Sequence, residues 1–174
     1  GRGGAAGRAS FSALGCPCAT LEREGRRAMR DAARSTRVLL VEDNPADVYL
    51  VRMFFERLGL DIELEVAGDG ELALELLGLD GAAEPPPAPE LVLLDLNLPR
   101  IDGWELLRRI KADPRLTVVP VVILSSAQSE HEVERCYRLH ASAFVPKLEG
   151  PREMESTLRS LSEFWFHRAS LPRC

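Results

Sequence analysis

Four apolar residues, Leu91-Val92-Leu93-Leu94, run directly into Asp95-Leu96-Asn97-Leu98-Pro99. A short, nearly all-apolar run bounded by turn residues reads as a strand buried on both faces. It is too short for a helix, and Pro99 with Asp102-Gly103 stops it. A strand without a polar face belongs inside a covered sheet. Asp95 then surfaces at the carboxyl end of that strand, where open α/β sheets build their sites. Taken alone, Asp95 is equally well explained as a turn cap; the remainder of the chain decides.

The same grammar recurs along the sequence. Arg37 to Val41 is a buried strand that ends in Glu42-Asp43. Asn44 is placed to N-cap a helix with Pro45 in its first turn and Asp47 favourable to its dipole. Val48, Val51, Phe54, Phe55 and Leu58 form the apolar stripe of this helix, which Gly59 ends. Asp61 to Ala67 alternates, with Ile62, Leu64 and Val66 inward, as a half-buried or edge strand does. A second helix is predicted over Gly70 to Leu79 with Leu72, Leu76 and Leu79 inward. The proline-rich stretch from Asp80 to Glu90 reads as a surface loop.

After the central strand come a helix over Trp104 to Ala112 and a strand over Val118 to Leu124 that ends in Ser125-Ser126. A helix over Ser129 to Leu139 opens on the capping-box pattern Ser129-x-x-Glu132. Ala143-Phe144-Val145 is a short strand before Pro146-Lys147; Pro146 assigns it to a sheet edge. Pro151 to about Arg168 is a final helix. Strand and helix alternate five times, which implies α/β architecture: a doubly wound, five-stranded parallel sheet with helices on both faces.

Composition narrows the function. A formal net charge of −5 argues against a nucleic-acid surface, and no apolar run is long enough to span a bilayer. Cys16-Pro17-Cys18 lacks a second ligand pair, so zinc is not expected; a reducing cytoplasm fits. Residues 1–35, rich in Gly, Ala, Arg and Ser, read as a disordered leader. Met29 lies just before the first structured signal, so a native start near Met29 is expected, with residues 36–174 as the folded domain.

Side by side, the strand ends deliver Glu42-Asp43, Asp95, Ser125 and Lys147 to one rim. Crowded carboxylates raise one another's pKa unless a cation joins them, and Mg²⁺ suits one or two carboxylates plus water and phosphate oxygens. An Asp beside such an ion is a plausible nucleophile towards phosphorus, with a lysine ammonium and a serine hydroxyl stabilising the phosphoryl oxygens. The residue types ask for phosphoryl chemistry.

From Arg37 to about Trp165 the chain resembles a response-regulator receiver domain, the CheY-like fold, whose strand order is 2-1-3-4-5. The resemblance implies Asp95 as phosphoacceptor, Glu42 and Asp43 as the acidic pair for Mg²⁺, and the Asn97 backbone carbonyl as a further ligand. It also implies Ser125 as the switching hydroxyl, Lys147 as the phosphate-binding lysine and Phe144 as the aromatic that reorients; ordinary packing is the alternative for Phe144. Val41-Glu42-Asp43-Asn44-Pro45-Ala46-Asp47, Leu94 to Pro99, Lys111 to Leu116 and Phe164-Trp165 are similar to the single-domain regulators of bacterial phytochrome kinases. The expected partner is therefore a sensor histidine kinase, a bacteriophytochrome, with no nucleic acid and no membrane. With nine residues after Trp165, no DNA-binding output domain is expected.

Two positions depart from the family. Leu148 stands where a proline, joined by a cis bond, usually follows the lysine; a cis Lys–Leu bond is expensive, so the loop is expected to run differently. His140 stands where a glycine commonly ends the helix, at the cost of mild left-handed strain. Two other functions compete. A haloacid-dehalogenase-type phosphatase needs a second Asp two residues after the nucleophile, and Asn97 cannot protonate a leaving group. An unphosphorylated, receiver-like scaffold has no use for clustered like charges.

Phe164, Trp165 and Phe166 fan over roughly 200° of a helix, more than one apolar stripe covers. Met154, Leu158, Leu161 and Trp165 make one stripe, leaving Phe164 or Phe166 partly outside it. These aromatics predict a homodimer on the last helix and fifth strand.

Overall fold

A computed structural model describes residues 35–172, apart from 82, 127–128 and 148–149. In chain order the elements are β1 (Thr36–Val41), α1 (Pro45–Leu58), β2 (Ile62–Ala67), α2 (Gly70–Leu76), β3 (Leu91–Leu94) and α3 (Gly103–Ala112). There follow β4 (Val121–Ser125), α4 (Glu130–Arg138), β5 (Ala143–Pro146) and α5 (Pro151–Ser162), which continues into a π-helical turn, Glu163–Arg168. The strands pair in parallel in the order β2-β1-β3-β4-β5, with β2 and β5 at the edges as their sequences predict. The expected leader and the start near Met29 lie outside the described residues.

Alternation survives inside the all-apolar strands, because successive side chains point to opposite faces. Leu39, Val41, Val92, Leu94, Val121 and Ile123 pack with Leu74 and Leu77, with Leu106, Leu107 and Ile110 of α3, and with Cys136 of α4. Val38, Leu40, Leu91, Leu93, Val122 and Leu124 pack with Val51, Phe54 and Phe55 of α1 and Met154 and Leu158 of α5. So α1 and α5 cover one face of the sheet, and α2, α3 and α4 the other. The helix starts follow the capping residues: Asn44 Oδ1 accepts from the Ala46 amide at 3.0 Å, and Ser129 and Glu132 complete a capping box.

Two elements differ from expectation. Helix α2 ends at Leu76; its fully buried residues are Gly70, Ala73 and Leu74, followed by Leu77, while Leu76 and Leu79 of the expected stripe pack partly buried against the same core and Leu72 is exposed. Both sets have helical spacing. Gly70 sets which is buried more deeply, since a Cβ there would lie 2.3 Å from the Ile101 carbonyl oxygen. The helix approaches on its small-residue face, which leaves Leu72 outward. Strand β4 starts at Val121 rather than Val118. Asp113 accepts from the amides of Arg115 and Leu116, and Lys111 Nζ donates to the carbonyls of Thr117 and Val119. These bonds keep the chain turning until Pro120, and Val118 is left exposed. His140 does take left-handed backbone geometry, φ 63°. Leu148 lies outside the described residues. No helix among the described residues is long and apolar enough to cross a membrane.

Candidate functional site

The sheet reverses winding direction between β1 and β3, and that switch point is where such folds open a crevice at the carboxyl ends of the strands. Val41 pairs with Leu94 in register, so Glu42 and Asp95 emerge next to each other. The Asp95 amide donates to the Val41 carbonyl at 3.0 Å, and one side-chain oxygen, Oδ1, accepts from the Asn97 amide at 3.0 Å. Gly103, which opens α3, lies against the same backbone: a Cβ there would meet the Asp95 carbonyl oxygen at 2.4 Å.

Lys147 comes from the far edge of the sheet. Its amide donates to the Ser125 carbonyl at 2.9 Å, and its side chain crosses β4 to the switch point. There Nζ donates to Asp95 Oδ2 at 2.6 Å, to Glu42 Oε2 at 2.5 Å and to Asp47 Oδ2 at 3.1 Å. An ammonium has three N–H donors, and each meets a carboxylate. The Lys147 side chain is only 8% exposed and that of Glu42 2%. Burial lifts the Glu42 carboxyl above its ordinary range, with Asp95 adding to the rise against the pull of Lys147. For Lys147 burial works downward, but its bonds to Asp95 and Glu42 outweigh it and raise the ammonium above its usual value.

One carboxylate oxygen from each of Glu42, Asp43 and Asp95 lies within 4.8 Å of the other two. This is an all-oxygen, anionic donor set without His or Cys, so it suits a hard divalent ion such as Mg²⁺ or Mn²⁺ rather than zinc. Ser125 is fully buried at the end of β4, on the same rim. Phe144 is half-buried against the α2–α4 side of the core, and its amide lies 3.4 Å from the Tyr137 hydroxyl oxygen, which accepts from it. The site therefore unites Glu42, Asp43, Asp95, Ser125 and Lys147, while Phe144 packs behind it. Asp47 is the member that sequence reasoning assigned only to the helix dipole.

Residues 38–159 match the response regulator receiver domain family. The chain belongs to that family. Response regulator Rcp1 of Synechocystis sp. is 37% identical over 135 residues, 78% of this chain and 92% of that protein. The Mn²⁺-bound structure of Rcp1 superimposes with a TM-score of 0.74, covering 79% of this chain and 99% of the other. The phosphorylated cyanobacterial phytochrome response regulator RcpA gives 0.75 at 34% identity, covering 80% and 99%. The bacteriophytochrome response regulator AtBRR gives 0.60 at 38% identity, covering 76% and 96%. This receiver has the five-stranded CheY-like sheet and works in two-component, phosphorylation-based signalling.

The aromatic tail of the receiver is divided. Phe164 is 54% exposed and meets Trp165 edge-on, ring centroids 4.9 Å apart. Phe166 turns back onto Phe55 in α1, with centroids 5.8 Å apart and the rings near perpendicular. Ala143, Val145, Leu161, Phe164 and Trp165 line an open groove of about 540 Å³ between β5 and the last helix.

Proposed function

We propose that Asp95 accepts a phosphoryl group from a sensor histidine kinase, and that the kinase is a bacteriophytochrome. An Asp95 side-chain oxygen forms the new bond to phosphorus as the phosphohistidine P–N bond breaks. The electron pair leaves with the imidazole nitrogen, which takes a proton. Lys147 Nζ, already 2.6 Å from Asp95 Oδ2, carries this reading. It is an ammonium brought across the sheet to the one carboxylate that must gain negative oxygens, where a preorganised charge is worth most. Glu42, Asp43, Asp95 and the Asn97 carbonyl are the residues that would hold Mg²⁺, which when bound supplies charge neutralisation to the phosphoryl oxygens. Ser125 donates to the phosphoryl group and Phe144 reorients with it. The only reactions catalysed are phosphorylation and dephosphorylation of Asp95 itself.

The kinase assignment draws on the phytochrome regulators among the similar structures. Transfer from a panel of labelled kinases, a phytochrome kinase included, tests it. Acid-labile, hydroxylamine-sensitive label is expected on the parent protein and none on Asp95→Ala. Wild-type labelling of that variant places the acceptor elsewhere, and transfer from other kinases only removes the phytochrome pairing.

The surface that passes the signal on is proposed to be a symmetric homodimer through β5, α5 and the exposed Phe164-Trp165 edge, with Phe166 behind it. A partly exposed aromatic pair beside an apolar groove is what a self-complementary interface needs. Light scattering at tens of micromolar is expected to give a dimer for the parent and a monomer for Phe164→Glu. A monomeric parent refutes the proposal.

A further inference from the structure

Lys147 has three carboxylate partners, and the reaction makes demands on two of them. Asp95 becomes an acyl phosphate, so Oδ2 ceases to be a carboxylate oxygen or is turned towards phosphorus. Glu42 belongs to the cluster of oxygens suited to the ion. Asp47 belongs to neither group. It stands in the first turn of α1, just after the Asn44 cap that follows Asp43. That turn is fixed by the Asn44 cap and Pro45. Its Oδ2 is 3.1 Å from Lys147 Nζ, and its side chain is 21% exposed, so the contact is mostly shielded from water.

A lysine side chain is a flexible four-carbon stem that spends about 2 kcal/mol of rotamer entropy when fixed. Once Asp95 and Glu42 change partners, an ammonium with no other acceptor is left to compete with the ion for the two carboxylates. We propose that Asp47 is a positioning residue for Lys147. It retains one N–H of the ammonium throughout, so that the other two move from carboxylate to phosphoryl oxygen without loss of place. The proposal rests on Asp95 being the acceptor. The plainer role for Asp47, complementing the dipole of α1, needs no lysine.

A double-mutant cycle separates the two roles. Mg²⁺ affinity is measured by calorimetry without phosphodonor, and phosphorylation rate with acetyl phosphate, for Asp47→Asn and Asp47→Glu in the parent and in a Lys147→Met background. With Lys147 present, Asp47→Asn is expected to weaken Mg²⁺ binding and slow phosphorylation by at least about threefold, the lower range of coupling between touching residues. Asp47→Glu should recover most of both. In the Lys147→Met background Asp47→Asn should change neither by more than about 1.5-fold. Equal losses in both backgrounds would mean a direct charge effect and overturn the proposal, as would no loss in the parent. An Asp95→Asn protein that still takes up phosphate at the parent rate removes the acceptor assignment and this inference together.

Discussion

Replacing Gly103 by alanine adds one methyl group at the place where the structure has no room for it. The new Cβ would lie 2.4 Å from the Asp95 carbonyl oxygen and 2.6 Å from Leu96 Cα, whereas ordinary contact begins at 3.4 Å. Both opposing atoms are backbone, and the Gly103 amide is tied to the Leu96 carbonyl by a 3.0 Å hydrogen bond. Relief needs α3 and the Asp95–Leu96 segment to part by about an ångström, and no rotamer change achieves that. Overpacking a rigid core costs about 1–3 kcal/mol, and two backbone partners put Gly103→Ala at about 3 kcal/mol. For a domain of this size each kcal/mol shifts the melting temperature by roughly 3–4 °C, so thermal unfolding followed by circular dichroism should show a fall of about 10 °C. Gly68→Ala is the control: nothing lies within 4 Å of its Cβ, and it should melt within about 2 °C of the parent. Because the displaced segment carries Asp95, Gly103→Ala should also lower acid-labile phosphate uptake. A variant that melts with the parent would refute the close approach and the reasoning from it.

Three further outcomes follow from contacts elsewhere. Lys147→Met leaves Glu42, Asp47 and Asp95 without their ammonium; it should lose about 3–5 kcal/mol and show a larger melting shift than the parent in millimolar Mg²⁺. Unchanged melting without Mg²⁺ would contradict the triple pairing. Burial, with the nearby Glu132 charge, pushes the Cys136 thiol up to about 11; a raised thiol favours the neutral form in the folded state. Its contribution to stability is therefore complete below pH 9 and lost as pH rises towards 11, by on the order of 2 kcal/mol, and Cys136→Ala should flatten that slope in denaturant titrations. Phe166→Ala should cost about 2–3 kcal/mol of stability, while Phe164→Ala should cost under about 0.5 kcal/mol and act on assembly; the reverse order would place the wrong aromatic in the core.

The sheet and its rim were legible because four of the five strands are short apolar runs followed by polar or charged residues, and the alternating β2 reads as an edge. Glu42, Asp95, Ser125 and Lys147 could be placed without any tertiary information, as parallel strands deliver their ends to one side. What could not be read was any choice resting on contact between distant segments. Helix α2 carries two stripes of helical spacing, and the approach of Gly70 to Ile101 buries one more deeply and leaves Leu72 of the other exposed. Val118 looks like strand, yet Asp113 and Lys111 bind the backbone around it into a turn. Asp47 had a sufficient local role at a helix start, and its partner lies 100 positions away.

The last helix shows why amphipathic reading leaves the choice between Phe164 and Phe166 open at its end. At about 100° per residue, a helix that buries Met154, Leu158 and Leu161 carries Trp165 on the same stripe and swings Phe166 outward. In the π-helical turn the bonds run from i to i+5, as the Ala169 amide does to the Phe164 carbonyl at 2.7 Å. The wider turn lowers the rotation per residue below that of the α-helix, and each later side chain is wound back. Phe166 is thereby returned to Phe55 and Phe164 is left outside. The charges agree with this register. Within α5 the ion pair is Glu155 with Arg159, four apart, whereas in the π turn Glu163 bonds Arg168, five apart. In an α-helix residues five apart lie about 140° away from each other and would not meet. In the structure the interval of five between Glu163 and Arg168 marks the turn in which Phe166 packs on the core and Phe164 stays exposed.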